Sequence, residues 1–323
     1  MRVRLSRLIV TCATAVLAAC STQSAPPVEP LSIDRASFAN VLKTPALIVT
    51  NGQLNAIQYW PITSHGGRHP TTIAQFSEIA QSGGMAANGN VLAIAINKPA
   101  GVMLFDARTR SRSMLGDPFG SPGAIAIDKT GNIFALNDLK RGADVTMYAA
   151  GSMNPHHLTC NLALQSQEIA ADDEGDLFVA GYVSSSVETV EFPNGPDGLR
   201  SGHCSVLPLR PESDYIEGLA VDPKTDDLIV FHDPGMCAGP AEARMTIYPK
   251  PYNEDNAHSV DMGGFCPYDF WIDADSRSAF FIDSPLFGGQ LVRQVSYPDG
   301  KNIATYTNSF PAELVTIPNA LPN

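Results

Sequence analysis

Ala124-Ile-Ala-Ile-Asp128 and Asn132-Ile-Phe-Ala-Leu136 are two apolar runs, the first closed by Asp, joined by Lys129-Thr-Gly131. So short a link between apolar runs reads as a β-hairpin, with Gly and Asp supplying the turn chemistry. The pattern returns as Ile169-Ala-Ala-Asp172 before Asp176-Leu-Phe-Val-Ala180, Leu219-Ala-Val-Asp222 before Asp227-Leu-Ile-Val-Phe231, and Phe270-Trp-Ile-Asp273 before Ala279-Phe-Phe-Ile-Asp283. The copies recur 44, 50 and 51 residues apart from Asp to Asp. A hairpin-based unit at that period is the signature of a β-propeller.

Each unit continues into a third strand ending at a Pro or Gly turn. These are Val145-Thr-Met-Tyr148, Val187-Glu-Thr-Val-Glu-Phe192, Met245-Thr-Ile-Tyr248 and Leu291-Val-Arg-Gln-Val-Ser-Tyr297. A weaker copy runs from Ala86 through Ile96 into Gly101-Val-Met-Leu-Phe105. Residues Pro45–Thr50, Ala56–Trp60 and Thr71–Phe76 supply three strands of a further unit that lacks its first, and Ala312-Glu-Leu-Val-Thr-Ile317 has the character of the missing one. The expectation is an all-β, six-bladed propeller of four-stranded blades, with the C-terminal strand completing the first blade and closing the ring. Residues 45–323 form this domain, and Ser32–Lys43 reads as a short helix before it.

Residues 1–19 read as a signal peptide: Arg2, Arg4 and Arg7, then an apolar stretch too short to span a bilayer. Leu17-Ala-Ala-Cys20 resembles a bacterial lipobox, which makes Cys20 the lipidated first residue of the mature protein. Ser21 after it resembles the sorting signal for an outer-membrane lipoprotein, facing the periplasm or the cell surface. Residues 20–44 are polar and Pro-rich and serve as a tether. Removing the signal leaves 18 basic side chains against 33 acidic ones, a formal charge of −15. That charge argues against nucleic acid as a partner, leaving the membrane, through the lipid, and an envelope protein, glycan or small ligand.

The Asp-closed strand, tight turn, second strand and third strand ending in Tyr or Phe together resemble NHL-repeat propellers. These belong to a wider group with the SMP-30 and gluconolactonase-like enzymes. The resemblance covers residues 45–317 and implies a fold without implying a reaction. Cys160, Cys204, Cys237 and Cys266 remain in the domain, an even number suited to an exported protein. Cys237 with Cys266 is the expected disulfide, whereas Cys160 and Cys204 either pair with each other or stay as buried thiols.

Chemistry in a propeller gathers at the mouth of the central channel. Glu168, Glu217, Asp269 and Glu313 fall near the starts of first strands; Asn137, Asp138, His232, Asp233 and Asp283 fall near the ends of second strands. Such a ring of oxygens suits calcium, and the likeness to the lactonases points to Glu168, Asn137 and Asp269 as ligands. Asp172-Asp-Glu-Gly-Asp176 also has calcium-like spacing, with a capped hairpin as the simpler reading. No serine-nucleophile elbow, phosphate loop or dinucleotide motif is present. The leading expectation is a non-catalytic binding lipoprotein; the alternative is a calcium-dependent lactonase-like hydrolase or lyase acting at the channel mouth.

Overall fold

The computed structural model describes residues 45–317 except 108, 138–142, 161–165, 173, 182–186, 192–202, 208, 210–215, 234–242, 285–288 and 308–310. Cys20, the tether and the Ser32–Lys43 segment lie outside the described residues, as do Asp138 and Cys237.

Among the described residues the strands make six four-stranded sheets, each a run of antiparallel neighbours. Five are built from consecutive strands. The first takes Ala46–Asn51, Ala56–Pro61 and Thr71–Gln75 and adds Pro311–Ile317 from the far end of the chain. In that pairing Ile48 lies opposite Val315 and Thr50 opposite Glu313. Leu314 and Val315 are fully buried there, so the closure is a packed seam.

The inner strands are Ser82–Asn88, Pro122–Ile127, Ser166–Ala171, Ile216–Val221, Pro267–Ile272 and Pro311–Ile317. Each touches the next, and the last returns to the first, so they line one central channel. Apolar layers fill the space between adjacent sheets. One joins Ile48 and Ile57 of the first sheet to Met85, Leu92 and Phe105 of the second, and another joins Phe231 to Phe270 and Phe281. The Tyr that ends a third strand serves as a strut: Tyr148 is fully buried and donates its hydroxyl to the Gly116 carbonyl of the preceding sheet at 3.1 Å.

The recurring Asp has a local job. Asp128 Oδ1 accepts the Asn132 N–H at 2.9 Å, Asp172 Oδ1 the Asp176 N–H at 2.8 Å, and Asp273 Oδ1 the Arg277 N–H at 2.8 Å. Each carboxylate thereby satisfies N–H groups that the tight turn leaves without a ladder partner. Gly131 and Gly175 take positive φ in these turns, at 89° and 90°. Asp226 and Ser276 do the same at 62° and 50°, so the turn geometry persists where Gly is absent.

A second repeated device was not legible beforehand. Every inner strand carries a β-bulge near its mouth-side end, seen as a shift of register against the second strand. Bulges re-aim side chains and end regular pairing, so they decide what reaches the channel. In the second sheet the bulge holds Gly83 and Gly84, pressed against the third sheet. A Cβ on Gly83 would sit 2.5 Å from the Gly123 carbonyl oxygen, which only glycine permits.

Candidate functional site at the channel mouth

Four carboxylic acids gather where the inner strands begin, one from each of four consecutive sheets: Glu168, Glu217, Asp269 and Glu313. Asp269 stands in the bulge with φ 48°, a strained left-handed conformation for a residue with a Cβ. Its own oxygens hold it there: Oδ1 accepts the Phe270 N–H at 2.9 Å and Oδ2 accepts the Leu314 N–H at 2.6 Å, across the seam between the sixth and first sheets. Glu313, the residue before Leu314, hydrogen-bonds to the same carboxylate. Two acids in contact share a proton, because both cannot ionise cheaply in a sheltered place.

The electrostatics follow from burial and crowding. Glu168 is pushed well above the ordinary carboxylate range by burial, then by the charges of Asp269 and Glu217. Burial, then Asp269 and Glu168, move Glu313 the same way. Asp269 rises to about 7 through burial, against the pull of the N–H groups that bind it. Glu217 rises to about 7 through burial and the charge of Asp233. Among the described residues, no lysine or arginine is among the causes that move these four groups.

The residues ending the second strands behave differently. Asn51 Nδ2 donates to Gln58 Oε1 at 3.0 Å, and Asn137 Nδ2 donates to Thr146 Oγ1 at 3.0 Å. His232 Nε2 shares a hydrogen bond with Thr246 Oγ1 at 2.9 Å, and Arg293 Nε donates to Asp283 Oδ2 at 2.5 Å. In every case the partner lies two residues beyond the position directly opposite on the third strand. A diagonal cross-strand bond thus recurs in four sheets, and in three of them it uses side chains expected to serve a ligand, those of Asn137, His232 and Asp283. Asp283 is spent further: its Oδ1 accepts the Phe265 and Cys266 N–H groups at 2.8 and 3.1 Å. Asp233 is fully buried beside the site and acts on Glu217.

Two polar atoms stand out at this end. Asn137 Oδ1 and Thr50 Oγ1 are buried and find no hydrogen-bond partner among the described residues, on side chains that are 0% exposed. Thr50 lies directly opposite Glu313, so the two side chains leave the same face of the first sheet. Buried polar atoms are almost always satisfied, so these two oxygens are acceptors open to water or to a ligand at this end of the channel.

A calcium ion takes its oxygens at 2.3–2.6 Å, so its ligands must lie within roughly 5 Å of one another. Among the described residues, the one trio of acids that meets such a limit is Asp172, Glu174 and Asp176 at the opposite end of the sheets. There Asp172 caps its turn, and Lys250 sits against Asp172, Glu174 and Asp226. The calcium ligands expected at the mouth, Glu168, Asn137 and Asp269, are two acids and an amide, and no trio of acids there meets that limit among the described residues. Cys266 lies beside this mouth and is held in a disulfide. Cys160 and Cys204 fall on the outer strands of neighbouring sheets. His157 contacts Asp144 and stacks on Phe119 at 4.4 Å, a surface role.

Fold and channel together define an all-β propeller. No family model and no curated protein matches the chain by sequence. Among solved structures it is similar to a chain in the crystal structure of a nidogen/laminin complex, with TM-score 0.65, 14% identity, and 86% of this chain and 100% of that one covered. TolB from Acinetobacter baumannii gives 0.61 and 13%, covering 85% and 66%. A streptogramin B lyase structure gives 0.51 and 8%, covering 84% and 76%. At such identities the likeness shows the fold alone.

Proposed function

We propose that the chain is an envelope-anchored lipoprotein, held to the membrane through Cys20, whose six-bladed propeller is a binding domain for a ligand bearing an organic cation. The arc of Glu168, Glu217, Asp269 and Glu313 carries this reading. Burial raises all four carboxyls, neighbouring acids raise Glu168, Glu217 and Glu313 further, and among the described residues no basic side chain is among the causes, a costly arrangement that a cation entering the channel would relieve. The orphaned oxygens of Asn137 and Thr50 at the same end add neutral acceptors. An ammonium or guanidinium group carries several donors on one charge and suits an arc of carboxyls of this kind. Cys237 is the partner proposed for Cys266. The metal-dependent hydrolase or lyase has no comparable observation behind it.

The test is calorimetric titration of the purified full chain with 1,4-diaminobutane, with a tri-arginine peptide and with calcium chloride. One-site binding of an organic cation is expected, releasing protons and weakening by about tenfold for each proton released as the pH falls by one unit below 7. Glu168→Gln with Glu313→Gln should abolish it. Binding of none of the three at pH 8 sinks the reading, and tight binding of calcium alone restores the metal site. Anchoring is tested separately by metabolic labelling with palmitate, expected in the native chain and absent after Cys20→Ala.

A further inference from the structure

The other end of the channel, where the inner strands run into their Asp turns, encloses a cavity of about 300 Å³. Its inner walls carry Ile125, Ile169, Leu219 and Val221, Trp271 lies on one side, and Asn88, Lys129 and the turn acids add a polar share to the lining. Trp271 belongs to the sixth sheet, yet its ring packs against clusters centred on the seam of the sixth and first sheets, the first and second, and the second and third. An indole that meets all three reaches across the channel. Its N–H is donated to Thr316 Oγ1 at 3.1 Å, which fixes the ring and leaves no unsatisfied donor.

The space follows from a substitution pattern inside the repeat. Two residues before the Asp of the turn stand Ala126, Ala170 and Ala220 in the third, fourth and fifth sheets, where the sixth has Trp271. Ala86 lines the same cavity from the second sheet. Small side chains around one large ring leave room above its face, a shape that no single strand specifies. The rim carries Asp128, Asp172 and Asp222, but each is engaged by N–H groups of its own turn, and Lys250 lies 3.5 Å from Asp172. Their charges are thus largely engaged by the turns and by Lys250.

We infer that this chamber is a second binding site, distinct from the carboxylate mouth, for a small neutral apolar molecule with a flat ring that stacks on Trp271. The volume is at the small end of ligand pockets and fits about two fused or linked rings. A peptide side chain reaching in from outside would bring its polar backbone to an apolar wall, which costs unpaired hydrogen bonds.

The chain has two tryptophans, and Trp60 is buried in the first sheet at 1% exposure. Trp60→Phe therefore leaves Trp271 as the sole indole reporter. The full chain carrying that change is titrated with the neutral fluorophore N-phenyl-1-naphthylamine, following Trp271 emission and energy transfer to the probe. Saturable binding of one probe per chain is expected. Ala220→Leu and Ala171→Leu, both at residues that line the chamber, each added separately and checked for a native circular dichroism spectrum, should weaken it by at least about tenfold by filling the space. A folded protein that gives no saturable transfer overturns the inference, as does unchanged affinity in the variants that fold.

Discussion

Glu217 and Asp222 belong to one inner strand and the turn that follows it, and their carboxyls titrate in opposite directions. Burial pushes both upward. At Asp222 the Ser276 hydroxyl, 2.5 Å away in the next sheet, together with the Lys224 and Thr225 N–H groups outweighs burial and leaves the pKa lowered. At Glu217 burial is joined by the charge of Asp233, and the pKa climbs to about 7. The turn end offers donors, because a tight turn exposes N–H groups that need an acceptor. The mouth offers other acids, because the bulge breaks the ladder and the nearby amides and hydroxyls pair diagonally among themselves. One end uses its acids to hold the fold, and the other holds its acids against the fold's preference.

The severest way to break this contrast is to remove a strand that serves both ends. Deleting residues 311–323 takes Glu313 from the mouth, Thr316 from the chamber and the inner strand from the first sheet. Loss of cooperative thermal unfolding is expected, and a truncated chain that melts as sharply as the whole would refute the closing seam.

A pH series sharpens the contrast next. Glu168, Glu217, Asp269 and Glu313 all have folded values above the unfolded ones, so the folded chain holds extra protons between them. Their stabilisation is complete below the unfolded value near 4.5 and is lost as the pH rises through about 7. Asp222 has the opposite sign, contributing above its unfolded value of 3.8 and losing that as the pH falls through the lower folded value. Denaturant unfolding should therefore show a maximum near pH 4, between the two windows, and a loss of several kcal/mol by pH 8. Glu168→Gln should flatten the decline while changing stability least at pH 4; a rise in stability from pH 5 to 8 would contradict the cluster.

Asp222→Ala removes the cap of one turn and its bond to Ser276 in the next sheet, and should cost about 2 kcal/mol at pH 7 by chemical denaturation. The smallest effect is expected at Thr146→Val, which strands the Asn137 Nδ2 donor. About 1 kcal/mol is expected in the same assay, together with a loosened mouth in amide hydrogen exchange around Asn137.

Much of the scaffold was readable in advance. Inner and second strands announce themselves because they are buried on both faces and read as continuous apolar runs, as Leu92–Ile96 and Leu228–Phe231 do. Outer strands such as His258–Asp261 escaped notice, being short, polar and exposed at the rim. The mouth acids were legible by position, because they precede the apolar run by one or two residues. The second-strand polar residues were placed at the same end, but their diagonal partners were not foreseen. A signal for them exists in Val145-Thr-Met-Tyr148 and Met245-Thr-Ile-Tyr248, where a Thr interrupts an apolar strand at the same place. Trp271 read only as part of an apolar strand.

By itself the sequence determined the repeat, the sheet-forming alternation, the turn chemistry of Asp128, Asp172, Asp222 and Asp273, and the C-terminal strand that fills the first sheet. Each depends on neighbours within a few residues or on counting strands. The tertiary structure alone decided that Asp269 and Glu313 share a proton, that Glu168 faces them, and that Trp271 crosses the channel. Those outcomes turn on one-residue bulges and on contacts between strands 45 or more positions apart, where a shift of a single residue changes the face a side chain occupies.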